Sequence, residues 1–214
     1  MLRMLITFFL VSLSSSEAAI KILALGDSLT EGLGVQREQA YPYLLEKSLK
    51  AQGFEVLVIN AGVSGSTSAT AYGRLKAYLN QEIDIMILAL GANDGLRGLS
   101  LKHLESNLSK TIRLAKSEGI KVILAGMKIP TNLGPDYTES FAAVYDHLEK
   151  EHAVVRVPFL LEGVAGNKDL NIADGIHPNT RGHELIADNL LPIFMEVFQK
   201  DQIPRLVNEE NPEN

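Results

Sequence analysis

Five short apolar runs recur along the chain, and each is followed by a stretch with helical spacing. They are Ile20–Leu25, Glu55–Asn60, Ile83–Leu90, Lys121–Ala125 and Ala153–Val157, each of strand length and rich in β-branched residues. A strand that is apolar along nearly its whole length has no face to give to water, so both of its faces must be covered. Strands alternating with helices satisfy this by pairing in parallel under two helical layers. The expected fold is therefore α/β: a three-layer α/β/α domain with a five-stranded parallel sheet. Leu101, Leu104, Leu108, Ile112 and Ala115 mark the clearest helix, with Ser100 as its N-cap and Gly119 just past its end. The last helix is expected over Arg181–Gln199, turning Leu185, Ile186, Leu190, Ile193, Phe194 and Val197 to the sheet, with Pro192 as a kink.

The chain has 214 residues, the length of one such domain with a short appendage. Hydrophobic residues make up 46% and charged residues 21%, enough apolar surface to bury a core. A net charge of −6 has the wrong sign for a surface that must neutralise phosphates, which argues against nucleic acid as a partner. With no cysteine there is no disulfide, no thiolate metal site and no cysteine nucleophile.

Residues 1–19 begin Met1-Leu2-Arg3-Met4, continue through the apolar run Leu5–Leu13 and end in Ser14-Ser15-Ser16-Glu17-Ala18-Ala19. That is the order of a secretory signal peptide, too short to span a bilayer comfortably, with cleavage expected after Ala18 or Ala19. Export to the periplasm or outside the cell follows, with no membrane span left in the processed chain. Residues 20–200 form the folded domain, and residues 201–214 are a polar tail with an acidic end.

Ligands of an open parallel sheet bind beyond the carboxyl ends of its strands, near the point where strand order reverses. The segments there are Gly26-Asp27-Ser28-Leu29-Thr30-Glu31-Gly32, Asn60-Ala61-Gly62-Val63-Ser64-Gly65-Ser66 and Gly91-Ala92-Asn93-Asp94-Gly95. Asp174-Gly175-Ile176-His177-Pro178-Asn179 precedes the final helix. A serine hydroxyl becomes nucleophilic when a histidine takes its proton, and that histidine needs an acceptor on its other nitrogen. Asp174 and His177, three residues apart, can supply both in one turn, leaving Nε2 for Ser28. Each residue also has a plainer reading: Ser28 as an N-cap, Gly65 as a turn glycine, Asn93 as an Asx-turn residue. Ser64 is a rival nucleophile, although Gly62-Val63-Ser64-Gly65-Ser66 falls one glycine short of a Gly-x-Ser-x-Gly elbow. Asp27 and Asp94 do not form the dense carboxylate set a divalent cation needs, so no metal is expected. Asp27 is expected to order the turn around Ser28. His103, His147 and His152 fall in helical stretches and are expected in solvent; His183 lies on the last helix without a partner at zinc-binding spacing.

The four segments resemble, in order, the conserved blocks of the GDSL-type or SGNH serine hydrolases. Gly91-Ala92-Asn93-Asp94-Gly95-Leu96-Arg97-Gly98-Leu99 and Ile129-Pro130-Thr131-Asn132-Leu133-Gly134 resemble the subgroup of periplasmic acyl thioesterases that also act as lysophospholipases and arylesterases. The resemblance implies a flavodoxin-like fold and a catalytic triad of Ser28, Asp174 and His177. It also implies an oxyanion hole made by the backbone N–H groups of Ser28 and Gly65 with the side-chain amide of Asn93. The implied reaction is hydrolysis of an acyl ester, thioester or lysophospholipid through an acyl-enzyme, by a monomer without a cofactor. Ser66 departs from the subgroup, where an acidic residue commonly follows the oxyanion glycine. Leu96, Ile129 and Pro130 are expected to bind substrate, within a wall that also draws on Leu29, Leu33, Leu99, Met127, Leu133 and Phe159; few aromatics are present, which suits a linear acyl chain. Two alternatives stand beside this reading: a carbohydrate or peptidoglycan O-deacetylase, and a binding module on the same scaffold that does not turn over.

Overall fold

The structure is a computed structural model that describes residues 19–205. The signal peptide read over residues 1–19 lies, but for Ala19, outside the described residues, as does the tail beyond Arg205. Five strands form one parallel sheet in the order β2-β1-β3-β4-β5: β1 Ile20–Gly26, β2 Val56–Gly62, β3 Ile85–Ala89, β4 Lys121–Ala125 and β5 Val155–Val157. In register, Gly26 faces Gly62 on one side and Ala89 on the other, so three strands end together at the centre of the sheet. The chain runs from β1 outward to β2 and then back across β1 to β3. This reversal is where an open sheet leaves a crevice.

Among the described residues there are seven α-helices: α1 Ser28–Glu31, α2 Tyr41–Ala51, α3 Ala71–Tyr78, α4 Ala92–Leu96, α5 Leu101–Ser117, α6 Pro135–His152 and α7 Thr180–Lys200. α2 packs on α7 to form one outer layer, and α3, α5 and α6 pack successively on one another to form the other. The expected spacing is realised in α5, where Leu104, Leu108, Ile112 and Ala115 are buried and the Ser100 side chain accepts from the His103 N–H. α7 runs through Pro192 without a break and buries Ile186, Leu190, Phe194 and Val197; Leu185 and Ile193 are partly buried at its margin. The strands supply the centre of the core, with Ile22–Leu25 and Met86–Leu90 fully buried.

Two strands are shorter than their apolar runs. The Asp84 carboxylate accepts from the Lys21 N–H at 2.7 Å, and β3 begins only at Ile85. Ala153, with φ +49, ends α6 in the left-handed region, and β5 begins at Val155. His103 and His147 are exposed as expected, but His152 is not: it is buried, and its Nε2 lies 2.8 Å from the Ser109 hydroxyl. The last turn of α6 carries it against α5, a tertiary placement that helical spacing alone does not reveal.

Candidate active site

Ser28 opens α1 directly after β1. Gly26 ends the strand where a Cβ would meet the Thr30 hydroxyl at 1.9 Å, so only glycine lets the chain fold back this tightly. Asp27 caps the short helix, its Oδ1 accepting from the Leu29 N–H at 3.0 Å, as expected of a residue that orders the turn. Burial raises the Asp27 carboxyl to about 6 despite that bond and a second from Asn93. Ser28 itself is only 8% exposed and lines a crevice.

The second half of the site comes from the loop before α7. An isolated antiparallel bridge pairs Asn171 with Pro178, and the Ile172 N–H donates to the His177 carbonyl at 2.8 Å. Asn179 closes the loop by capping α7, accepting from the Gly182 N–H at 3.1 Å. Within this frame Asp174 uses both oxygens. Oδ1 accepts from the backbone N–H of Ile176 and of His177, each at 2.9 Å, while Oδ2 lies 2.6 Å from His177 Nδ1. The bonds from the His177 backbone and ring hold the Asp174 carboxyl down at about 2, so it stays ionised. His177 Nε2 is 2.9 Å from Ser28 Oγ. With Nδ1–H donating to Asp174, Nε2 is the free acceptor for the serine proton, which is the order nucleophile, base, orienting acid.

The remaining groups come from β2 and β3. Asn93, on α4, donates through Nδ2 to the Ser66 carbonyl at 3.0 Å and to Asp27 Oδ2 at 3.3 Å. Gly65 has φ +75, a conformation that favours glycine. Among the described residues, no acceptor meets the backbone N–H of Ser28 or of Gly65. Ser64 does not reach the histidine; its hydroxyl and N–H both donate to Glu31.

A cavity of about 430 Å³ opens beside Ser28, His177 and Asn93. Its wall is apolar, formed by Leu29, Leu96, Ile129, Pro130, Phe159 and Leu161, with Lys128 at its border. Leu96, Ile129 and Pro130 thus all line it. Leu33, Leu99, Met127 and Leu133 do not: Met127 turns inward and is 2% exposed, while the three leucines lie on the outer surface. Gly65 lies on the adjoining loop, outside the lining.

Residues 24–185 match the GDSL-like lipase/acylhydrolase family. The chain belongs to it. Member proteins similar to this chain include the esterase TesA of Pseudomonas aeruginosa, 40% identical over 86% of this chain and 92% of that protein. The arylesterase of Vibrio mimicus is 38% identical over 86% of this chain and 92% of its own length, and thioesterase 1/protease 1/lysophospholipase L1 of Escherichia coli K12 is 37% identical over 84% and 86%. Among solved structures, the esterase EstA from Pseudoalteromonas superposes with a TM-score of 0.80 at 32% identity, covering 84% of this chain and 98% of that one. As a GDSL hydrolase the chain is an enzyme of the serine type acting on ester bonds.

Sequence reasoning did not find the residues that brace this GDSL site. Arg74 donates through Nη1 to the Gly26 carbonyl at 2.9 Å and through Nη2 to the Ala61 carbonyl, tying the ends of β1 and β2. Asp94, buried behind Asn93, accepts from the Ser68 N–H at 2.8 Å and the Ser68 hydroxyl at 2.6 Å, and Asn107 donates to the same hydroxyl at 3.0 Å. No spacing rule announces such pairs, because each joins segments far apart in the chain.

Proposed function

We propose that the protein is an exported esterase that hydrolyses acyl esters, thioesters or lysophospholipids through an acyl-enzyme on Ser28. The observation that carries the reading is the bonded line from Ser28 through His177 to Asp174 at the mouth of an apolar cavity. His177 takes the Ser28 proton as the oxygen attacks the acyl carbonyl, and the ionised Asp174 stabilises the imidazolium on its Nδ1 side. The tetrahedral oxyanion then has three donors: the N–H groups of Ser28 and Gly65, and the Asn93 amide, which exchanges its longer bond to Asp27 for the oxyanion. His177 returns the proton to the leaving group, and water, activated in the same way, releases the acid.

The relatives support the substrate class, being named esterase, arylesterase and thioesterase/lysophospholipase. The solved EstA structure inhibited by monoethylphosphonate supports the mechanism, since such phosphonates act on nucleophilic serines. Export rests on the signal-like residues 1–19; a processed enzyme outside the cytoplasm would meet lysophospholipids and other esters more readily than acyl-CoA. The test is a series of p-nitrophenyl esters from acetate upward. Each CH2 buried in the cavity is worth about 0.8 kcal/mol, so kcat/KM should rise about fourfold per carbon until the cavity is filled. A peak at acetate followed by decline would instead indicate a deacetylase.

A further inference from the structure

The loop that carries Gly65 is held from two sides by charged side chains that neither line the cavity nor bond to Ser28 or His177. On one side Glu31, the last residue of α1, accepts through Oε2 from the Ser64 N–H at 2.8 Å and from the Ser64 hydroxyl. On the other side Arg97, just past α4, donates through Nη2 to the Gly65 carbonyl at 3.1 Å and reaches Asn93 Oδ1 at 3.5 Å. Both contacts involve a full charge, which makes them stronger than neutral hydrogen bonds.

Peptide planarity gives these bonds a consequence. The Ser64 N–H belongs to the peptide plane before Ser64, and the Gly65 carbonyl belongs to the plane after Gly65. Between them lies one plane, and that plane carries the Gly65 N–H. A turn bond from the Ser66 N–H to the Val63 carbonyl at 3.1 Å closes the chain around that plane, and Glu31 and Arg97 are the side chains that grip the turn on its two sides. Val63, Ser64 and Gly65 are exposed, and a side chain placed on Gly65 would meet only the Arg97 guanidinium, at 3.6 Å. Gly65 also sits at φ +75, and glycine holds no single φ region without outside restraint.

We propose that Glu31 and Arg97 are positioning residues that clamp the Ser64–Gly65 peptide so that its N–H faces the oxyanion of the tetrahedral intermediate. The proposal rests on the serine-esterase reading above. Glu31 fixes the loop against the helix that carries the nucleophile. Arg97 fixes it against the helix that carries Asn93. The three oxyanion donors are thereby locked to one another, although they follow three different strands.

The test is steady-state hydrolysis of p-nitrophenyl butyrate by Glu31→Ala, Glu31→Gln, Arg97→Ala and Arg97→Lys, with thermal melts alongside. Glu31→Ala and Arg97→Ala should each lower kcat about tenfold with KM within about twofold, the signature of a donor displaced from the transition state while substrate binding persists. Combining the two should approach the roughly 10^2 to 10^3-fold loss caused by removing one oxyanion donor. Arg97→Lys, which can still donate to the carbonyl, and Glu31→Gln, which can still accept from Ser64, should recover most of kcat. Unchanged kcat in both alanine variants overturns the clamp, as does a rise in KM alone or a loss that follows the melting temperature without rescue. Fluorophosphonate labelling of the wild type separates this from failure of the underlying reading. A wild type that takes no label overturns both; a labelled wild type whose Glu31→Ala and Arg97→Ala variants keep full kcat overturns the clamp alone.

Discussion

The molecule contains two serine–histidine contacts of nearly equal length. Ser28 Oγ is 2.9 Å from His177 Nε2 at the carboxyl end of the sheet, and Ser109 Oγ is 2.8 Å from His152 Nε2 between α5 and α6. A carboxylate lies close to each pair, but the placement differs. Asp174 meets His177 at Nδ1, at 2.6 Å, where it can hold the ring and stabilise the charge that appears when Nε2 takes a proton. Glu151 lies 3.6 Å from Nε2 of His152, the nitrogen already bonded to the serine. Ser109 is also occupied, accepting from Arg113 Nη1 at 2.6 Å, and Lys116 donates to the His152 carbonyl at 2.6 Å. Burial lowers the His152 pKa, which opposes protonation of the ring. The second pair is a clip that joins two helices. A short serine–histidine distance is thus not chemistry by itself; the site beside Ser28 adds an acid on the far nitrogen, unbonded N–H donors and an apolar cavity.

Substitutions can break this contrast, beginning with the largest effect. Ser28→Ala and His177→Ala should each lower kcat for a p-nitrophenyl ester by on the order of 10^6. Asp174→Asn should cost about 10^4, because Nδ1 loses its ionised acceptor. If Asp174→Asn cost no more than His152→Ala, the two pairs would be equivalent and the contrast would be wrong. Asn93→Ala should lower kcat by about 10^2 to 10^3 while KM changes little; an effect on KM alone would remove Asn93 from the oxyanion hole. Ser109→Ala should leave kcat within about twofold and lower stability by about 1–3 kcal/mol in urea unfolding, since it removes the hydroxyl bonded to a buried imidazole.

A third histidine sharpens the comparison through pH. His183 is fully buried, its Nδ1 accepts from the Tyr41 N–H at 3.3 Å, and burial lowers it to about 4. The unfolded chain binds a proton there below about 6.5, whereas the folded chain does so only below about 4. Its contribution to stability is therefore complete above that upper limit and is lost as pH falls toward the lower one. Asp27 runs the other way: its folded value of about 6 lies above the ordinary 3.8, so burying its charge is unfavourable above about pH 6 and is relieved as pH falls. Replacing His183 with Gln should leave the Asp27 trend less opposed. The variant's unfolding free energy at pH 4.5 minus that at pH 7, read from chemical unfolding, should exceed the same difference in the wild type by on the order of 2 kcal/mol. An unchanged pH slope would mean that His183 is not held neutral.

Much of the fold was legible because the sheet is buried on both faces, which writes each strand as a continuous apolar run. The segments bearing Ser28, Asn93 and His177 were legible because they follow β1 and β3 or precede the last helix, and because they resemble, in order, the conserved blocks of the GDSL-type hydrolases. The pocket wall was read less well. Met127 and Ile129 are both apolar residues after β4, yet Met127 is sealed in the core and Ile129 faces the cavity, a distinction set by the loop's path. Arg74, Glu31 and Arg97 left no trace, because each bonds to backbone groups whose position only the folded chain defines. His152 was misjudged because its burial depends on how α6 docks on α5.

The most direct measurement is intact-mass and peptide mapping of the folded protein after a fluorophosphonate, with His177→Ala and Ser109→Ala in parallel. A serine-hydrolase mechanism built on Ser28 predicts one adduct, on Ser28, lost in His177→Ala and retained in Ser109→Ala. An adduct on another serine, or none on the folded wild type, would contradict it.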